Sequence, residues 1–324
     1  MAIVVSHHLS RVREEWSVGR PTKAQRMMQG GLRIARPMPM GSIVGSQMPG
    51  TAPHPFSGSP PETIPLDPPP LAQVLAQVRF SATPSIAIDE FFAPVQRALS
   101  PEYPIARKDQ EIQFVINSAA EPVPTSSHLW RLIDDENIWR VTVSTMFLSL
   151  ETTAYPGNEE FFRRFALLLA LVGEHLQPGR VERLGIRYIS RLEDDGDVAR
   201  IEEFVRPEIC GVASIDDAGI RAAHTLTQAL FVLDTAQLAA RWGILPPGMT
   251  TDPALMPSDR TSWLLDVDVF DEQPRAFDAG ALSQTAYEYS RRQYQFFRWA
   301  VEPEFLLRFG ADKKLVAAST KEPR

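Results

Sequence analysis

A chain of 324 residues with 33 Lys and Arg against 40 Asp and Glu carries a formal charge of −7. That length admits two domains, or one large domain with a tail, and the apolar content suffices for a sizeable core. No apolar run reaches the roughly 18 uninterrupted residues of a membrane span. The longest candidate, residues 161–172, contains Arg163 and Arg164 and reads as a buried helix. Ile3, Val4 and Val5 are too few for the apolar core of a secretory signal. The lone cysteine, Cys210, cannot form an internal disulfide and reads as a small buried residue. Together these features predict a cytoplasmic protein.

Residues 1–70 differ from the rest. They hold 12 of the 28 prolines, and their 7 basic residues outnumber 4 acidic ones. The remaining chain, with 26 basic and 36 acidic residues, carries −10. The stretch 49–70 is rich in Pro, Gly, Ser and Thr, which predicts a disordered or polyproline-like linker ending a basic arm. Several methionines within this arm leave open whether residues 1–47 are translated.

The folded part is expected from Leu71. Residues 71–81 alternate, with Val74, Ala76, Val78 and Phe80 on one side and Gln73, Leu75, Gln77 and Arg79 on the other. That is the period of a half-buried strand. Ile88, Phe91, Phe92, Val95 and Leu99 recur at helical spacing, with Pro94 marking a kink or an early stop. A short strand follows at residues 112–117. Residues 129–133 and 138 onward read as a hairpin about Asp134, Asp135, Glu136 and Asn137, residues that tolerate left-handed backbone. Residues 139–155 then read as one long strand whose apolar parity switches at Leu148, which predicts a bulge or burial of both faces.

Pro156, Gly157 and Asn158 end that strand and open a helix over 158–176, with Glu159 and Glu160 where the helix dipole favours anions. Pro178 and Gly179 stop it. The strand 183–192 places Leu184, Ile186 and Tyr188 on one face and Arg183, Arg187 and Arg191 on the other. Beyond it the pattern predicts a turn at Asp194–Asp197, a short helix within 198–209, and a hairpin of residues 225–234 and 237–244. A strand over 263–270 should turn Asp266 and Asp268 outward. A last helix over 281–299 carries Leu282, Tyr289 and Phe296 on one stripe. Residues after Lys313 read as a frayed tail.

These elements predict an α+β fold: mostly antiparallel sheet with helices on one face, in two related-looking halves. The expected segments are a disordered basic arm (1–70), a β-α-β-β-β-α-β half (71–195), a β-rich half ending in an amphipathic helix (196–312) and the tail (313–324).

Motifs that carry chemistry are sparse. There is no phosphate-binding glycine loop, no Gly-x-Ser-x-Gly elbow, no His-Glu-x-x-His and no paired cysteines. The spacing of His128, His175 and His224 does not suggest a metal site, and no cofactor is implied. Three guanidiniums on one strand face can pair with neighbouring carboxylates, or they can bind an anion bidentately. The expected ligand-binding set is therefore Arg79, Arg183, Arg187 and Arg191, with Gln77 and Glu151 and, from the same strand face, Gln73. The net charge disfavours duplex nucleic acid.

The segments 71–80 (LAQVLAQVRF), 149–155 (SLETTAY) and 183–190 (RLGIRYIS) resemble a sporadically distributed bacterial protein family of unknown function, over about residues 71–310. In that family the position of Ser190 is usually Asn. The resemblance implies an accessory gene, of the kind found near defence or toxin–antitoxin loci, and implies no catalytic residues. The favoured expectation is a non-catalytic protein that recognises an acidic peptide, a nucleotide or a partner protein. The alternatives are a chaperone or antitoxin-like module, and an enzyme on a small anionic substrate with Glu151 or Asp266 as base. A homo-oligomer is compatible with all three.

Overall fold

The computed structural model describes residues 55–115, 123–217, 219–252 and 255–321. The expected arm up to residue 54, with His7 and His8, and the side chain of His128 lie outside the described residues.

The strands are β1 (Leu71–Phe80), β2 (Ile105–Val115), β3 (Val123–Ile133), β4 (Trp139–Ser144), β5 (Phe147–Thr152), β6 (Val181–Leu192), the two-residue β7 (Asp216–Asp217) and β8 (Ile220–Arg221), β9 (Thr227–Val232), β10 (Gln237–Leu245) and β11 (Ser262–Asp271). The main helices are α1 (Asp89–Leu99), α2 (Asn158–Leu176) and, after the short α3 (Asp195–Ala199), α4 (Ile201–Phe204) and α5 (Pro207–Cys210), the long α6 (Ala279–Ala300). Then come α7 (Pro303–Arg308) and α8 (Lys313–Lys321).

Nine strands form one antiparallel sheet in the order β2-β3-β4-β5-β1-β6-β11-β10-β9. The alternation in β1 decides its faces: Val74, Ala76, Val78 and Phe80 are fully buried in the main core, beneath α1, α2 and α6. Phe161, Phe165, Leu168, Leu169 and Val172 give α2 its buried stripe. Full burial of one such aromatic or aliphatic side chain contributes about 1.5–3 kcal/mol. The fold is α+β, with helices packed against a large antiparallel sheet, as expected.

The expected strand over 139–155 is instead two strands, β4 and β5, paired as a hairpin. Pairing of Val141 with Leu150 and of Val143 with Leu148 puts all four side chains on the core face, so the parity switch marks a turn rather than a bulge. The Ser144 hydroxyl accepts the Met146 and Phe147 N–H groups at 3.1 and 3.0 Å and closes that turn. The first half is thus β-α-β-β-β-β-α-β. The hairpin at 134–137 forms as expected: Asn137 has φ 55°, and the Asp134 carboxylate accepts the Ile138 and Trp139 N–H groups at 2.8 and 2.9 Å.

One sheet spans both expected halves, because β6 pairs with both β1 and β11. Two further expectations are corrected. Residues 55–70 are not a free linker. The Phe56 ring lies 4.8 Å from Phe231, Ile64 is buried, and the Ile64 N–H donates to the Tyr294 hydroxyl at 2.8 Å. The tail contains α8, whose Val316 is buried.

On the sheet face away from the main core, Ile189, Leu245, Leu255 and Leu264 make a small second cluster. Leu255 comes from the segment 246–261 that joins β10 to β11, so this segment covers part of that face.

Candidate functional site

The arginines share one sheet face, with Arg79 opposite Arg183 and Leu75 opposite Arg187. The three β6 cations, however, are occupied. Arg187 donates from Nε and Nη2 to the two oxygens of Asp266 at 2.7 and 2.8 Å, and from Nη1 to Asp252. Asp266 also pairs with Arg241 at 2.7 Å. Far from facing outward into solvent, the Asp266 side chain is 2% exposed. Arg183 donates to Asp268 at 2.6 Å and lies over the Phe270 ring. Burial pushes the Asp268 carboxyl up, against the pull of Arg183 and Arg187. Arg191 pairs with Glu193 at 2.9 Å and donates to the Met256 carbonyl at 2.6 Å.

Glu151 accepts from Gln73 at 2.6 Å and from Arg140 at 3.0 Å; burial still raises its carboxyl pKa. Gln77 and the exposed Arg79 have no side-chain hydrogen bond among the described residues. The stripe therefore works as a scaffold: Arg187 and Arg191 hold the 246–261 segment onto the sheet through Asp252 and the Met256 carbonyl. An incoming anion would have to displace a buried carboxylate from a bidentate partner, which leaves that carboxylate unpaired.

A cavity of about 560 Å³ lies elsewhere, between α6, residues 63–71, the turn before α2, and β6. Tyr155, Tyr188, Tyr294, Phe297 and several prolines line it, with polar groups from Asn158, Ser190, Ser290 and Gln293. Each wall has a local cause. The proline-rich stretch cannot form a helix or ladder and lies extended against α6, tied by the Ile64 N–H to Tyr294 and by the Asp67 N–H to the Phe309 carbonyl at 2.9 Å. Gly157, at φ 122°, turns the chain into α2 with no side-chain cap. Tyr188 points into the helix layer by the alternation of β6.

The Tyr155 hydroxyl donates to the Asn158 side-chain oxygen Oδ1 and lies 3.2 Å from the Tyr188 hydroxyl. Burial pushes Tyr188 up to about 12 and Tyr155 further still. Both phenols stay protonated at neutral pH. Gln293 is 6% exposed and lines the cavity; its side-chain amide has no hydrogen-bond partner among the described residues, and its polar atoms keep contact with the cavity solvent.

The sequence did contain a signal for this residue. Gln293 stands four residues after Tyr289 and three before Phe296, so it is a polar side chain on the apolar stripe of α6. Tyr188, assigned only to the core, is also a cavity wall.

Other candidates resolve into structure. Asp194 caps α3 by accepting the Gly196 and Asp197 N–H groups, and buried Asp197 binds Arg308 at 2.9 Å. Cys210 is buried, and burial raises its thiol pKa. Among the described residues no three or more His, Cys, Asp or Glu side chains are placed to hold a metal ion, and no helix is long and apolar enough to cross a membrane. No protein-family model matches this chain, and no curated protein matches it.

Proposed function

We propose that this chain is a non-catalytic binding module that takes up a small molecule in the cavity between α6, β6 and residues 63–71. The observation that carries this reading is an apolar-walled cavity with a few convergent polar groups, one of them the Gln293 amide, which has no hydrogen-bond partner among the described residues. Such a combination is the usual form of a ligand site. Catalysis lacks support for a physical reason. Among the described residues the lining holds no His, Cys, Lys or Arg, its one carboxylate is the exposed Asp67, and burial pushes the Tyr155 and Tyr188 phenols up, away from neutrality.

The test is a thermal-shift screen of small molecules against the full chain and against Thr63→Trp. Thr63 is an exposed residue on the cavity wall, so the indole can enter the cavity without disturbing the core. Ligands that raise the melting temperature of the wild type should lose their effect in the variant. Stabilisation that survives Thr63→Trp places binding elsewhere and rejects the reading.

A further inference from the structure

Resting on the binding reading above, we propose that the cavity's ligand is an uncharged planar heterocycle that presents adjacent hydrogen-bond donor and acceptor atoms to Gln293, in the manner of a nucleobase.

Charge comes first. No cationic side chain lines the cavity, and its one ionisable carboxylate, Asp67, sits exposed. A phosphate or carboxylate entering it would lose hydration without direct contact to a cation, since Arg298, which reaches the Tyr294 hydroxyl at 3.5 Å, is not among the lining side chains. The N-terminus of α2 does not supply the missing field. Its first turn carries Glu159 and Glu160, which oppose an anion there, although Arg163 and Arg164 bind Glu160. The uncapped amides of that turn can donate to a neutral carbonyl.

Shape and hydrogen bonding come next. Rings and prolines line the cavity: Tyr155, Tyr188, Tyr294 and Phe297 with Pro65, Pro69 and Pro70. Tyr294 and Phe297 lie 6.0 Å apart at 32°, and Tyr155 meets Tyr188 edge-on. The Gln293 amide has no hydrogen-bond partner among the described residues. A carboxamide offers an acceptor and donors in one plane, which pair bidentately with the donor–acceptor edge of a heterocycle. An alkyl chain would leave that amide unpaired, so a lipid tail fits the volume but not the chemistry.

The experiment is calorimetric titration of the full chain with adenine, uracil, adenosine, adenosine 5′-monophosphate and decanoate, repeated on Gln293→Leu. Leucine favours helix at this interior position, and circular dichroism and melting confirm that the variant is folded. A neutral base or nucleoside should bind; the 5′-phosphate should weaken binding by about ten-fold or more, and Gln293→Leu should weaken the heterocycle by about ten-fold. Equal affinity for adenosine and its monophosphate overturns the proposal, as does a Gln293→Leu variant that binds heterocycles as the wild type does. Decanoate binding with every heterocycle silent rejects this ligand class while leaving the cavity a binding site. If every probe is silent the class also falls, and the Thr63→Trp screen decides the cavity's role independently.

Discussion

Replacing Asp266 by Asn keeps the shape of the side chain and removes its charge. In the wild type this carboxylate, 2% exposed, serves two guanidiniums: Arg187 through two bonds of 2.7 and 2.8 Å, and Arg241 at 2.7 Å. Taking one partner from a buried ion pair costs about 3–5 kcal/mol, because the remaining charge has neither water nor a counter-ion. Two features bring Asp266→Asn toward the lower end. Arg187 keeps Asp252, and Arg241, with a side chain 29% exposed, can recover water. A loss of about 3 kcal/mol is therefore expected, on the order of 10 °C in melting temperature for a unit of this size.

Urea unfolding gives the free energy. Limited proteolysis within 246–261 gives the local consequence, because Arg187 is the tether of Asp252. Combining Asp266→Leu with Arg187→Met removes both charges at once and should cost at least about 1 kcal/mol less than the sum of the single changes. An Asp266→Asn protein within about 1 kcal/mol of wild type, or strict additivity in the double variant, would refute the claim that this network is desolvated and pins the segment.

Gly243, at φ 150°, has no room for a side chain, since a Cβ there would lie 2.0 Å from the Thr225 carbonyl oxygen. Gly243→Ala should cost about 3 kcal/mol or more in urea unfolding. Gly185→Ala should cost about 1–3 kcal/mol, because the Cβ would displace the Arg183 guanidinium from Asp268 and the Phe270 ring. Glu151 titrates higher in the folded chain than its ordinary value because burial outweighs Arg140 and Gln73. The native state therefore holds this proton more tightly than the unfolded chain. Stability should fall as pH rises from the ordinary carboxyl range through the raised value, and melting curves of Glu151→Gln should lack that component. The Cys210 thiol, buried and raised in pKa, should react with a disulfide reagent slowly in the native protein and rapidly in denaturant.

Much of the architecture was legible because burial leaves a period in the sequence. In β1, β6 and β11 every second residue is apolar on the core side, and in α2 the apolar residues fall on one stripe. The turn between β4 and β5 was hidden by its chemistry. Thr145 and Met146 are not turn-forming residues; the turn is closed by the hydroxyl of Ser144, which looks like any strand serine. The start of β2 was hidden too, because residues 105–111 alternate no apolar side chains and gain their conformation from pairing with β3. Asp266 was read as outward. Alternation gives the face of a side chain but says nothing of what lies over that face, and here Asp252 and its segment do.

The cavity was illegible for a different reason. Its walls come from residues 63–71, 155–158, 188–190 and 290–297, and no local pattern records that four distant segments meet. Proline-rich composition was read as absence of structure. It is equally the composition of a segment that buries side chains with few backbone donors to satisfy, and residues 55–70 use it that way against α6, with the Ile64 N–H donating to Tyr294. The arginine stripe shows the converse. Its period was clear, yet period cannot separate guanidiniums that await a ligand from guanidiniums that hold a loop, because both require the same spacing. Neighbouring strands decide between them: β11 supplies Asp266 and Asp268 at the right register, and the stripe is consumed internally. Gln293 has no such partner among the described residues. A polar side chain turned toward a cavity and left unpaired is therefore better evidence of a ligand here than a row of charges that the fold has already neutralised.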